Sequence, residues 1–256
     1  DNAAGTGSVT LTGTLTFTNN GNTGSDDDGL YIRTQGSLTL ANIIATLNKD
    51  DGVEIDNTPG TGSVSLTGGT YNQNAGDGLY VRADGLITLE NVTANQNGDD
   101  GGDISNDTGG SIVGANVFVL NSTFNSNGDD GLVAASNLDV VLMNVTAQNN
   151  DNDGVELYSD GDNVVLCGGV FSVNDIQAGS TDYNVRVTGG TRTRSSDIVV
   201  TNWSPTTGWT TVPSGTGRCA NTDNDVFPNN WDTDDDNDGV LDVNDACLLG
   251  ASVGAD

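Results

Sequence analysis

Seven residues near the C-terminus stand at a spacing that suits calcium. Asp234, Asp236, Asp238, Gly239, Val240, Asp242 and Asp245 fall at positions 1, 3, 5, 6, 7, 9 and 12 of a loop. Carboxylates at 1, 3, 5 and 9, the carbonyl of position 7 and an acid at 12 offer the roughly six to eight oxygens that Ca²⁺ takes, with glycine at the sharp bend. A second set of acids recurs along the chain, each followed by glycine: Asp28, Asp51, Asp77, Asp100, Asp130 and Asp153, spaced 23 to 30 residues apart. Beside them run Asp27, Asp50, Asp99 and Asp129. Stacked acids about 5 Å apart repel by on the order of 1 kcal/mol per pair in water and by several times more in a less polar medium. Something must offset that. The leading expectation is that each first Asp caps its own turn; the alternative is a column of calcium ions along the edge.

The elements that must position these acids repeat with them. A Gly or Asn is followed by Asn six positions on and by Asp-Gly at positions nine and ten, starting at Asn42, Gly68, Asn91, Asn121 and Asn144. Degenerate copies start at Gly13, with Asn19, and at Gly168, with Asn174. Such a period marks stacked supersecondary units, none able to bury its apolar face alone. After each Asp-Gly comes a short alternating strand, such as Val53 with Ile55 or Leu79 with Val81. A second precedes the Gly/Asn bend, such as Val64 with Leu66 or Val140 with Leu142; a third leaves it. Period-two alternation turns one set of side chains toward a core. Gly and Asn exchanging at the bend mark a backbone that needs positive φ.

The third strand carries the sharpest packing evidence. One and three residues after the bend stand Ile43 with Ala45, Gly69 with Tyr71, Val92 with Ala94, Ser122 with Phe124, Val145 with Ala147 and Gly169 with Phe171. A branched residue is matched by Ala and a tiny one by an aromatic, so both point into one space of fixed volume. Asn19, Asn48, Asn74, Asn97, Asn127, Asn150 and Asn174 occupy one position in successive units. They are expected to hydrogen-bond along the axis as a structural ladder. Glycosylation patterns occur at Asn91, Asn106, Asn121 and Asn144. Only Asn106 lies in a longer loop where a glycan is easy; the other three are turn residues explained by the backbone.

Three short strands per unit predict an all-β parallel solenoid of about seven to eight coils, stacked about 4.8 Å apart. Over about residues 5 to 188 the pattern, Asn-x-x-Asp-Gly followed by an alternating strand, resembles the right-handed parallel β-helix repeats of the pectate-lyase-like superfamily. That resemblance implies the fold; the fold hosts lyases, hydrolases, epimerases, tailspikes and adhesins, so it implies no single activity. On the outer face of the first strand stand Tyr31, Glu54, Tyr80, Asp103, Val133 and Glu156, with Arg33, Asp56 and Arg82 beside them as a charge-compensating ladder.

Residues 1–188 are read as the solenoid, 189–218 as its C-terminal cap and 219–256 as a calcium-binding segment. Trp203, Pro205, Trp209 and Pro213 suit a cap that covers the open end of the core. No equivalent cap is evident before the first coil, from which either preceding coils or a stacked second molecule is expected. The flanks of the acidic loop hold no helix formers, against an EF-hand pair. The string Asp223-Asn224-Asp225-Val226-Phe227-Pro228, followed by Asp232 to Asp245 and Cys247, resembles the thrombospondin type 3 repeat, with Ala246 where that family has Asn. The resemblance implies Ca²⁺ as the cofactor and adds Asp223, Asp225 and Asp232 to the ligands. Of the three cysteines, Cys219 and Cys247 bracket the acidic segment and are expected to pair in an oxidising compartment, leaving Cys167 a buried thiol.

Composition bounds the function. With 36 acidic against 7 basic residues in 256, a formal charge of −29 excludes nucleic-acid binding, because phosphates would find no neutralising partner. No apolar run approaches membrane-spanning length. Histidine is absent, which removes imidazole acid–base chemistry. The acids recur in every unit, whereas an active site is a local departure from a repeat. The expected function is therefore an extracellular or cell-surface structural solenoid, calcium-stabilised: a stalk, adhesin or filament subunit stacking end to end on itself. The runner-up is a calcium-dependent lyase or binding module for acidic surface polysaccharide. Ice binding through outward Thr10, Thr39, Ser65 and Thr88 fails, because that column continues as Phe118, Val141 and Val165.

Overall fold

The alternating runs become strands. The structure is a computed structural model that describes residues 5–21, 27–58, 60–107, 115–174, 182–223, 227–235, 237 and 241–242. Strands after the Asp-Gly pair, such as Val53–Asn57, Leu79–Ala83 and Leu132–Ser136, form a first stack. Strands before the bend, such as Leu38–Ala41, Val64–Thr67 and Val117–Leu120, form a second. Strands after it, such as Ile43–Thr46 and Thr123–Asn125, form the third. Every named pairing is parallel, one coil onto the next. The long strands Val155–Cys167 and Val185–Ser195 run through both the first and second stacks and merge them into one sheet. The molecule is a right-handed β-solenoid of about seven coils.

Its core lies between the three stacks. Ile43, Ala45, Val92, Ala94, Val145 and Ala147 are buried, as are Tyr71, Phe124 and Phe171. The complementary pairs thus share the interior, as expected. Volume is only part of the reason. Gly69 and Gly169 have φ of 117° and 102°, and a Cβ there would strike Ile43 O at 2.7 Å and Val145 O at 2.2 Å. Two of the aromatic coils therefore need glycine for backbone approach as well as for space.

The Gly/Asn bend has positive φ at Asn42, Gly68, Asn91, Asn121, Asn144 and Gly168. A second left-handed column was invisible in the sequence because it holds ordinary residues: Leu47, Gln73, Gln96, Ser126, Asn149 and Val173, at φ of 59 to 61°. Leu47 and Val173 are 50% and 62% exposed, so burial gives little in return for that strain. Replacing either with Asn, as Asn149 already is, is expected to stabilise the protein by about 1 kcal/mol. Urea midpoints that stay put or fall would show that the strain is offset locally.

The first coil is shifted by one residue from the repeat. Leu15 pairs with Ile43 and Phe17 with Ala45, which places Asn20, not Asn19, beside Asn48. Asn19 takes the left-handed position instead, at φ 57°. At the other end the inward positions of Val164 and Leu166 pass to Arg192 and Arg194. Trp203 and Trp209 stack there with ring centroids 5.4 Å apart, and the Arg194 guanidinium lies 3.9 Å over Trp203. Both indoles are partly buried and pack on the core.

Two further expectations are overturned. Cys219 is bonded to Cys167, not to Cys247, which lies outside the described residues. Cys167 pairs with Met143 on the outward side of the second stack, and the chain returning from the cap brings Cys219 to that flank. Asn106 is wholly buried and its amide donates to Ala115 O at 3.0 Å and Asn116 O at 3.1 Å, which leaves no room for a glycan. It is the side chains of Asn91, Asn121 and Asn144 that are exposed.

Candidate functional site: an acidic edge and an acidic segment on the flank

The Asp-Gly corners stack into a continuous edge. Each aspartate serves the neighbouring coil rather than its own turn, which corrects the expected self-capping. Asp28 Oδ1 accepts the Asp51 N–H at 3.2 Å, Asp51 that of Asp77 at 2.7 Å, and Asp77 that of Asp100 at 2.8 Å. Asp100 accepts from Asp130 at 2.8 Å and Asp130 from Asp153 at 2.7 Å. The column ends when Asp153 accepts the Tyr183 N–H and pairs with Arg186, whose guanidinium also lies 3.5 Å from Glu156 and 3.7 Å from Asp182. One oxygen of each carboxylate is thus committed to the next coil.

The glycine is set by what lies behind it. A Cβ on Gly52 would meet Gly78 O at 2.5 Å and the Asn74 side-chain nitrogen at 2.6 Å. That amide belongs to the predicted inner ladder, in which Nδ2 of Asn48, Asn74, Asn97, Asn127 and Asn150 donates to Oδ1 of the next asparagine at 2.9 to 3.1 Å. Asn20 joins at the front and Asn184 extends it beyond Asn174. A second, outer ladder escaped the sequence reading. Asn72 Oδ1 accepts the Asn95 N–H at 2.8 Å, Asn95 that of Asn125 at 2.7 Å, and Asn125 that of Gln148 at 2.8 Å. Its signal was present, two residues before each inner asparagine.

Crowding shows in the electrostatics. Burial, with the charges of neighbouring aspartates, pushes the carboxyls up to about 6 at Asp51, about 8 at Asp77, about 9 at Asp100 and about 7 at Asp130. Asp153 is wholly buried yet reaches only about 6, because the Tyr183 N–H and then the Arg186 charge offset part of its burial. Glu54, on the outer face, is raised to about 7 by burial and by Asp28 and Asp51. Among the described residues, two groups bring ligand oxygens within 4.8 Å of one another: Asp28 with Asp51 and Glu54, and Asp77 with Asp99 and Asp100. Glu54 joins the first through strand register, which the Asp-Gly spacing did not reveal. Oxygen-only clusters of this kind suit a hard cation.

Beside the edge, Tyr31, Arg33, Glu54, Asp56, Tyr80 and Arg82 line a groove of about 690 Å³. Arg33 pairs with Asp56 at 3.0 Å. The expected ladder breaks at Arg82, which reaches forward to Asp103 and stacks on Tyr80 at 4.0 Å instead. The Asp56 hydrogen bond raises the Arg33 pKa, and at Arg82 the Asp103 carboxylate outweighs burial. Both arginines stay charged.

The acidic segment docks on the solenoid. Along the outward column of the second stack, Thr10, Thr39, Ser65 and Thr88 give way to Phe118, Val141 and Val165. There Cys219, Phe227 and Trp231 cover them. Phe227 and Trp231 meet Phe118 edge-on at 5.2 and 6.0 Å, and Trp231 Nε1 donates to Asp139 Oδ2 at 2.9 Å. The apolar break in a polar column is the footprint of the segment. Of the sequence-predicted ligands, Asp223, Asp232, Asp234 and Asp242 fall among the described residues; Asp225, Asp236, Asp238, Val240 and Asp245 lie outside them. Asp232 Oδ1 accepts the Asp234 N–H at 3.2 Å, and Asp242 Oδ1 accepts that of Asp235 at 2.9 Å. Asp235, absent from the predicted set, has a buried Oδ1 without a hydrogen-bond donor, and its pKa is raised by burial and then by the Asp242 charge.

Three strand stacks, parallel pairing and an internal asparagine ladder define a parallel β-solenoid. The model of the right-handed β-helix region matches residues 5–165 and 57–203, and the chain belongs to that family. Searches of curated proteins and of solved structures gave no match. Among the described residues no helix is long and apolar enough to cross a membrane.

Proposed function

We propose that the protein is an extracellular structural β-solenoid, stiffened by Ca²⁺ and working as a cell-surface stalk, adhesin or filament subunit. The observation that carries this reading is the edge itself: the same carboxylate-to-backbone bond recurs from Asp28 to Asp153 without a local departure. A scaffold needs such regularity, and an active site breaks it. Calcium is the counter-charge that the crowded carboxylates call for, at Asp28–Asp51–Glu54, at Asp77–Asp99–Asp100 and in the segment around Asp232, Asp235 and Asp242. The Cys167–Cys219 bond supports an oxidising environment. The lyase reading is weakened because Arg33 and Arg82 are held by Asp56 and Asp103, so neither is available as a base. The groove over Tyr31 and Tyr80 supports a second reading, a carbohydrate-binding surface, testable by glycan binding in which Tyr31→Ala abolishes retention.

Calorimetric melting tests the main reading. Calcium at about 100 times its dissociation constant adds about 2.7 kcal/mol per site, or about 5–10 °C for a domain this size. A melting temperature indifferent to calcium and chelator at neutral pH would remove the ion from the proposal. Electron microscopy that shows only single particles, with or without calcium, would remove the filament.

A further inference from the structure

Charged residues make up 17% of the chain, yet the third stack carries none. Its seven successive seven-residue segments, 13–19, 42–48, 68–74, 91–97, 121–127, 144–150 and 168–174, contain no Asp, Glu, Lys or Arg. The other stacks differ. The first presents Arg33, Glu54, Arg82 and Asp103 along its outer face, and the second is covered from Phe118 onward by Cys219, Phe227 and Trp231. On the third, strand register lines up Thr16, Ile44, Thr70, Thr93, Thr123 and Thr146 in one outward column. Thr46, Asn72, Asn95, Asn125 and Gln148 form the next. All of these side chains are at least partly exposed.

A face cleared of charge reports on what meets it. A basic partner is drawn by acids, and a neutral one does not require their removal. A partner that is itself strongly acidic does, because like charges juxtaposed at an interface repel. At −29, a second copy of the chain is such a partner. The chemistry is also complementary to itself: hydroxyl and amide groups both donate and accept hydrogen bonds, whereas a carboxylate only accepts. Seven coils about 4.8 Å apart, with strands rising about 3.3 Å per residue, give a face of roughly 600 Å². A pair therefore buries about 1,200 Å² in all, the lower end of specific interfaces. From this pattern we infer that the third stack is a self-association surface, on which two copies lie side by side, sheet against sheet, with antiparallel axes about a two-fold. Thr93 stands in the fourth of the seven segments, so the two-fold sets each Thr93 beside its mate. The inference is independent of the calcium reading and of end-to-end stacking, since it joins flanks.

Sedimentation equilibrium of the full chain, in chelator so that no ion bridges two copies, tests this. A dimer with a micromolar Kd is expected. Raising salt from about 0.05 to about 0.5 M is expected to tighten it by about tenfold, because repulsion between the remaining acidic faces is screened; an interface of ion pairs would weaken instead. Thr93→Asp is expected to weaken the pair by about tenfold or more. Thr39→Asp, which adds the same charge on the second stack, is expected to leave it nearly unchanged. Mixing Thr93→Asp with Thr93→Lys is expected to restore association, which misfolded variants could not do. A chain that stays monomeric at every salt concentration, or a dimer that Thr93→Asp leaves intact, overturns the proposal. Retention of polygalacturonate by a monomeric chain, abolished by Thr93→Asp, overturns it too, since the face would then belong to acidic polysaccharide.

Discussion

In chelator and at low salt, the protein is expected to lose stability steadily as the pH rises from about 4 to about 9. Six carboxyls carry this result: Asp51 and Asp153 at about 6, Glu54 and Asp130 at about 7, Asp77 at about 8 and Asp100 at about 9. In the unfolded chain such groups titrate near pH 4. Their folded values are raised, so the native state holds more protons across that window. The contribution is fully present below the unfolded value and is lost as pH climbs through the folded ones. Calcium is expected to flatten the curve above pH 7, because it takes the place of the protons on the ionised edge. Urea midpoints taken from pH 4.5 to 9, with and without calcium, measure both. General self-repulsion of a −29 chain has the same sign, so one substitution separates the two causes. Asp100→Asn keeps an Oδ1 acceptor for the Asp130 N–H and removes the charge. In chelator at pH 8 it is expected to stabilise the protein by more than about 1 kcal/mol, the value of one pKa unit. Destabilisation there would show that the ionised edge is tolerated without help.

The second large effect is expected in the interior, at Asn127. Its Oδ1 accepts the Asn97 backbone N–H and side-chain amide, both at 3.1 Å, and its Nδ2 donates to Ala94 O at 3.3 Å and Asn150 Oδ1 at 3.0 Å. Asn127→Ala leaves the Asn97 N–H and the Ala94 carbonyl short of partners where water does not reach. Each orphaned group costs about 1–3 kcal/mol, so a loss of about 3 kcal/mol or more is expected. In melting temperature that is a fall of about 6–12 °C. Thr39→Ala, on the exposed outer face, is expected to change stability by less than about 0.5 kcal/mol. A melt for Asn127→Ala as high as that control would mean that the ladder follows the coil without supporting it.

Much of this architecture could be read from the chain because a solenoid is nearly one-dimensional. Each coil contacts its neighbours, so a local pattern repeated at a fixed interval is also the tertiary pattern. The Gly/Asn bends, the inner asparagines from Asn48 to Asn174 and the core pairs from Ile43–Ala45 to Gly169–Phe171 all followed from spacing. The acid columns were legible as columns. What each carboxylate accepts was not, since Asp51 is served to Asp77 of the next coil, a partner chosen by stacking. Glu54 reached the edge through strand register, and Arg186 closes the column from a coil where the Asp-Gly signal had lapsed.

Where the chain leaves the repeat, spacing stopped being informative. Asn20 replaced Asn19 because the first coil carries one extra residue, and only pairing with Ile43–Thr46 sets that register. Cys167 found Cys219 because the chain folds back along the flank after the cap, a path that sequence separation does not encode. The amino-acid sequence alone determined the coil, its core and the oxygen-rich chemistry of its acids, because those depend on neighbours one period away. Only the tertiary structure decided the disulfide and the docking of Phe227 and Trp231 on Phe118. Those contacts join residues two or more coils apart along the chain, and burial of an outward apolar stripe, not any period, selects them.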